Sequence, residues 1–175
     1  MSDMTGEDRR FPPALADLAD VDIDHADGRG IDFEPCSAFD SAEETTDWLR
    51  SWTGNGEVDG SRYRVFGQDG TGGLAALWCV RPGRPLTEQP VVFLGSEGAA
   101  GVVARDLSDF LWLLADGVGP MEAVEFGAVT GRSDPALVSL AERHASGPRR
   151  TAREIVAAAR AEFPSYADDI AALCR

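Results

Sequence analysis

Apolar positions crowd into residues 62–117 of this chain, where short apolar runs alternate with glycine-rich turns. Residues 63–66 (YRVF) predict a strand, and 68–73 (QDGTGG) a turn, Asp69-Gly70 being the usual signal for positive φ. LAALWCV at 74–80 is apolar almost throughout, the pattern of a central strand buried on both faces. Residues 91–94 and 102–104 predict two more strands around a GSEG turn at 95–98. Connections this short favour an antiparallel meander. A helix follows, with Asp106 as its cap and Leu107, Phe110, Leu111 and Leu114 as its buried face. Trp112 and Leu113 widen that face, so the helix should be covered on more than one side. Trp78 and Phe110 are expected to share one core.

The flanks read differently. Residues 31–34 suit a strand, and residues 13–19 (PALADLA) a short helix. Ser41 with Glu44 forms a capping box ahead of AEETTDWLRSW, which carries Trp48, Leu49 and Trp52 on one stripe and ends at Gly54. The last third predicts helices only: a short turn from Pro120 to Phe126, one helix from Asp134-Pro135 to Gly147, one over 152–162 behind a Thr151/Glu154 box, and one capped by Ser165. The expected organisation is a disordered tail over 1–10, an α+β domain over 11–130 and a helical C-terminal extension over 131–175. The expected fold is α+β, with a mostly antiparallel sheet of four to six strands flanked by helices.

Charge adds a bias toward one kind of partner. The formal net charge is −14, and residues 1–60 hold sixteen acids against four arginines, a net of −12. Such a surface repels phosphate backbones, which argues against nucleic acid as a partner and for a basic protein. No apolar run is long enough to span a bilayer, which argues against a membrane partner. Cys36, Cys79 and Cys174 fit neither zinc spacing nor a paired disulfide framework. Reduced thiols and a polar, acidic start predict a soluble cytoplasmic protein.

No motif demands catalysis, a metal or a cofactor. A calcium loop starting at Asp20 would need Gly and Glu where His25 and Ile31 stand, so Asp20, Asp22, Asp24 and Asp27 read as a solvated loop. The glycines at 70, 72 and 73 lead into a strand, and the chain has no lysine for a P-loop. Gly95-Ser96-Glu97-Gly98 is a residue short of a nucleophile elbow, and only His25 and His144 could serve a Ser–His pair. Glu122 and Glu125 suit the first turn of a helix through its dipole. Trp48 and Trp52 lie among acids, an arrangement that serves either the core or a binding hot spot.

The central block resembles the SUKH superfamily (the SMI/KNR-like family), named for a yeast cell-wall regulator and bacterial relatives, many of them immunity proteins. The resemblance runs through Phe66-Gly67, the turn 69–73, the strand 74–80, PVVFLG at 90–95, Gly98, and Val102-Val103-Ala104-Arg105-Asp106 into Phe110-Leu111. It implies a SUKH-like α+β fold without catalytic activity that binds another protein. An immunity protein capping a basic toxin, for example a nuclease, would be one such module. The partner-facing candidates are Glu43, Glu44, Asp47, Trp48, Asp69 and Glu97. The alternatives are a regulatory or scaffold protein unrelated to toxins, and a small metal-dependent hydrolase using Asp22, Asp24 and His25.

Overall fold

Among the described residues five strands pair in chain order. In the computed structural model, which describes residues 9–23, 31–127 and 131–175, they are β1 (Glu34–Pro35), β2 (Tyr63–Gln68), β3 (Leu74–Trp78), β4 (Val91–Leu94) and β5 (Ala100–Ala104). Every neighbouring pair is antiparallel. β2–β3 and β4–β5 are joined through short turns, and β1–β2 through a connection that carries a helix. The helices are α1 (Pro13–Ala19), α2 (Ala42–Thr53), α3 (Leu107–Ala115), α4 (Pro120–Phe126), α5 (Pro135–His144), α6 (Ala152–Glu162) and α7 (Tyr166–Leu173). The result is the expected α+β class, with an antiparallel sheet flanked by helices and a helical C-terminal third. Residues 1–8, and Asp24, His25 and Asp27 of the acidic loop, lie outside the described residues.

Alternation along the strands divides the interior into two layers. Ala75, Leu77, Val91, Phe93 and Val103 face α3 together with Phe33 and Phe66, and α1, α4, α5 and the first half of α6 complete that layer. Leu74, Ala76, Val92, Leu94 and Val102 face the other way, against Leu49 of α2, Ala159 of α6, and Tyr166 and Ile170 of α7. β3 is therefore covered on both faces, as its apolar run predicts. Trp78 and Phe110 do not share a core. Phe110 packs with Phe33 and Phe66, whereas Trp78 packs across the sheet on Tyr166 and Phe163, ring centroids 4.6 and 5.4 Å away.

α3 is buried at every position, and its two polar residues are paired there: Ser108 with Ser146 and Asp109 with Arg105. Asp106 Oδ1 accepts from Asp109 N at 2.8 Å and fixes its start. Gly117 then turns the chain at φ +84°, with Arg132 backbone packed where a Cβ would project. Both predicted capping boxes form, at Ser41/Glu44 and Thr151/Glu154. Ser41→Ala is expected to cost about 1 kcal/mol of stability, read as a lower urea midpoint with unchanged slope.

Several ends move for identifiable reasons. The strand expected at 31–34 pairs only at Glu34–Pro35. Ile31 and Phe33 are drawn into the core, while Asp32 Oδ1 accepts from Gly70 N at 2.8 Å. β3 stops at Trp78 because the Gln89 side chain accepts from the Val80 and Arg81 N–H groups, at 3.1 and 2.8 Å. α5 ends at His144, where the Ser146 N–H turns to Ser108 Oγ at 2.8 Å. Ser165 does not cap α7: its hydroxyl donates to Asp169 Oδ2 at 2.9 Å.

Candidate protein-binding surface

α2 owes its position to two opposite stripes. Thr45, Leu49 and Thr53, four residues apart, are buried against the sheet, and both threonine hydroxyls return to the helix by donating to the i−4 carbonyl. Glu43 and Asp47, also four apart, project into solvent. Glu44 is exposed too, but its Oε2 accepts from Ser41 N at 3.0 Å and so closes the cap.

Between the stripes Trp48 and Trp52 stack, centroids 5.8 Å apart and planes 16° apart. Trp52 Nε1 donates to the Gly95 carbonyl at 2.7 Å, which pins α2 to the β4–β5 turn. That turn is joined to the β2–β3 turn by Ser96 Oγ donating to Thr71 Oγ1 at 3.0 Å. One end of the sheet thus gathers α2 and both hairpin turns. Exposed Glu43, Asp47 and Glu97 and half-buried Trp48 belong to these elements.

Asp69 does not face a partner. It is 2% exposed, and its Oδ1 accepts from Thr71 N (3.0 Å), Gly73 N (2.8 Å) and Thr71 Oγ1 (2.7 Å). The carboxylate is the internal strut of the hairpin turn. The turn falls where the Asp-Gly signal puts it, but its positive φ is at Gly72 (+94°) and not at Gly70, and the signal does not reveal which way the aspartate points.

Electrostatics at the start of α2 are those of crowded acids. Burial, followed by the charge of Glu44, pushes the Asp40 carboxyl up from its ordinary value. The Cys36 thiol is likewise raised by burial, then by Asp40 and Glu34, which keeps it from being a ready nucleophile. Ser96 Oγ is bonded to Thr71, and His144 Nε2 lies 2.6 Å from Asp17 Oδ2, so neither is the other's partner. Among the described residues no group of three His, Cys, Asp or Glu could hold a metal ion. Asp22 is exposed, while Asp24 and His25 fall outside the described residues. Among the described residues, no helix is long and apolar enough to cross a membrane.

A second acidic group is invisible in the sequence. Glu122 Oε2 and Asp69 Oδ2 are both buried without a hydrogen-bond partner. Burial raises the Glu122 carboxyl above its ordinary value, and the nearby charges of Asp32, Asp69 and Glu125 add to the rise. The fold therefore prefers this group protonated, and stability falls as pH climbs from the unfolded value through the raised one. Glu122→Gln is expected to raise the urea midpoint at pH 7. The gain should vanish near pH 4, where wild type is protonated in both states; urea titrations at the two pH values check this. Glu122 reads from sequence as an ordinary first-turn acid, because Asp32 and Asp69 are brought to it by the fold.

No family model, curated protein or solved structure matches this chain.

Proposed function

We propose that this chain is a non-catalytic protein-binding module that grips a basic partner at the end of the sheet where α2 meets the two hairpin turns. The observation that carries the reading is the Trp48–Trp52 stack, fixed by the bond to Gly95, beside exposed Glu43, Asp47 and Glu97. A rigid aromatic anchor within a charged rim is what a hot spot requires, since little side-chain entropy is left to lose on binding. Negative charge around it steers a positive partner inward and repels acidic ones.

The resemblance to the SUKH superfamily gives this reading its finer form. A five-stranded meander leading through Ala104 and Asp106 into a helix with Phe110-Leu111 is compatible with that fold. On that basis the chain would act as an immunity protein, capping a basic toxin domain such as a nuclease. The test is affinity capture by the immobilised full chain from its source cells, at low and high salt. A basic protein retained one to one and released by salt supports the proposal. Retention of only acidic proteins, or a complex indifferent to salt, would overturn it.

A further inference from the structure

α6 and α7 pack on β5 and leave Val102 buried, but their cover is interrupted between Glu162, where α6 ends, and Tyr166, where α7 begins. A cavity of about 500 Å³ opens there, lined by Val102 of β5, Val124 of α4, and Phe163 and Tyr166 at the α6–α7 junction. That volume lies within the range of small-molecule sites. Its two aromatic rings are already held in place. Trp78 packs on both, with centroids 5.4 and 4.6 Å away, and the Arg81 guanidinium lies 5.6 Å from the Phe163 centroid. The apolar wall is therefore formed before anything binds.

The polar side chains of the lining are Tyr166 and Arg160. The Tyr166 hydroxyl is bonded to that of Tyr63 at 3.0 Å. Arg160 Nη2 donates to the Ala123 and Val124 carbonyls at 3.1 and 3.3 Å, which satisfies the last turn of α4 and fixes the guanidinium. A guanidinium carries five N–H donors, and among the described residues Arg160 Nε and Nη1 meet no acceptor. Nor does any carboxylate among the described residues pair with it. In a chain of net charge −14, an arginine left without an acid beside an apolar cavity selects an anion with an apolar body.

We propose that this cavity binds a small carboxylate with an apolar tail, its head on Arg160 and its tail against Val102, Val124 and Phe163. The guanidinium offers a carboxylate two parallel N–H donors, and its anchorage to α4 leaves little side-chain freedom to lose. Burial of the tail supplies the rest of the affinity. The inference is independent of the proposed function, because the α2 surface takes no part in it.

NMR titration of the full chain with octanoate tests it, with acetate and 1-octanol as the head without the tail and the tail without the head. Octanoate is expected to bind one to one with a dissociation constant on the order of 1 mM, shifting the Val102 and Val124 methyl groups and leaving α2 unchanged. Acetate and octanol should each bind about tenfold more weakly. Arg160→Gln should weaken octanoate about tenfold and leave octanol unchanged, so that octanol reports whether the cavity survives the loss of the α4 contacts. Ala167→Trp, at an exposed position of the lining, should block both ligands. Equal binding of octanoate and octanol, octanoate binding that Arg160→Gln or Ala167→Trp leaves intact, shifts confined to α2, or no saturable shift at Val102 and Val124 by 10 mM, about ten times the expected constant, would overturn the proposal.

Discussion

Phe110→Ala is expected to remove about 4 kcal/mol of stability, enough to leave a domain of ordinary stability partly unfolded at room temperature. Phe110 is 0% exposed and meets Phe33 and Phe66 edge to face, with centroids 5.8 and 5.3 Å away and planes 77° and 78° apart. Phe33 and Phe66 also meet each other edge to face at 6.1 Å, so three rings close one cluster between α3 and the sheet. The cluster is fixed by backbone as well as by rings: a Cβ at Gly67 would run into the Phe33 ring. Little is free to collapse into the space an alanine would leave, which places the loss in the upper part of the usual range. Double-mutant cycles in urea give a sharper readout. Phe110 and Phe66 should couple by about 1 kcal/mol, as touching aromatics do. Phe110 and Trp78, on opposite faces of β3, should be additive within about 0.5 kcal/mol. A loss below about 1.5 kcal/mol for Phe110→Ala would mean that α3 does not seal this layer.

The elements written most clearly in the sequence are those whose signals are local. α2 and α6 each open with a Ser/Thr-x-x-Glu box that serves its own backbone, so no distant residue is needed to specify the start. β3 reads as central because five successive apolar positions leave neither face for water. Less legible are features that depend on which elements the fold brings together. Trp78 and Phe110 are both large and apolar, and nothing local says that α3 covers the Ala75–Leu77 side while α7 covers the Trp78 side. Asp32 acquires its role as acceptor for Gly70 N only once β1 lies beside β2. The same limit hides the cavity lined by Val124 and by Phe163 and Tyr166, residues far apart in the chain. At the candidate surface, Glu43, Asp47 and Glu97 are exposed as a partner-facing role requires. Asp69 is not, because a turn aspartate satisfies its neighbours whether it points inward or outward.

Reversing Glu43 and Asp47 together to arginine is expected to weaken the complex with the basic partner about 100-fold. Each reversal replaces an attraction by a repulsion, and about 1.4 kcal/mol apiece gives that factor. Glu44 belongs outside the design: its carboxylate closes the α2 cap, so reversal there would confound binding with loss of the helix start. Glu43 and Asp47 are exposed, so the double reversal should lower stability only through the helix dipole at Glu43, by about 1 kcal/mol or less. Most of the loss should appear in the association rate, because charges at the rim act on encounter more than on the formed contact. Salt should then mimic the mutations in wild type and do little in the variant, as the screening length falls from about 10 Å at 0.1 M to about 3 Å at 1 M. Trp48→Ala should act differently, raising the dissociation rate about tenfold with the salt dependence intact, since it removes the desolvated anchor and leaves the field in place. If the double reversal left affinity and association rate within threefold of wild type, the acidic stripe of α2 would be a solubilising surface and the partner would dock elsewhere.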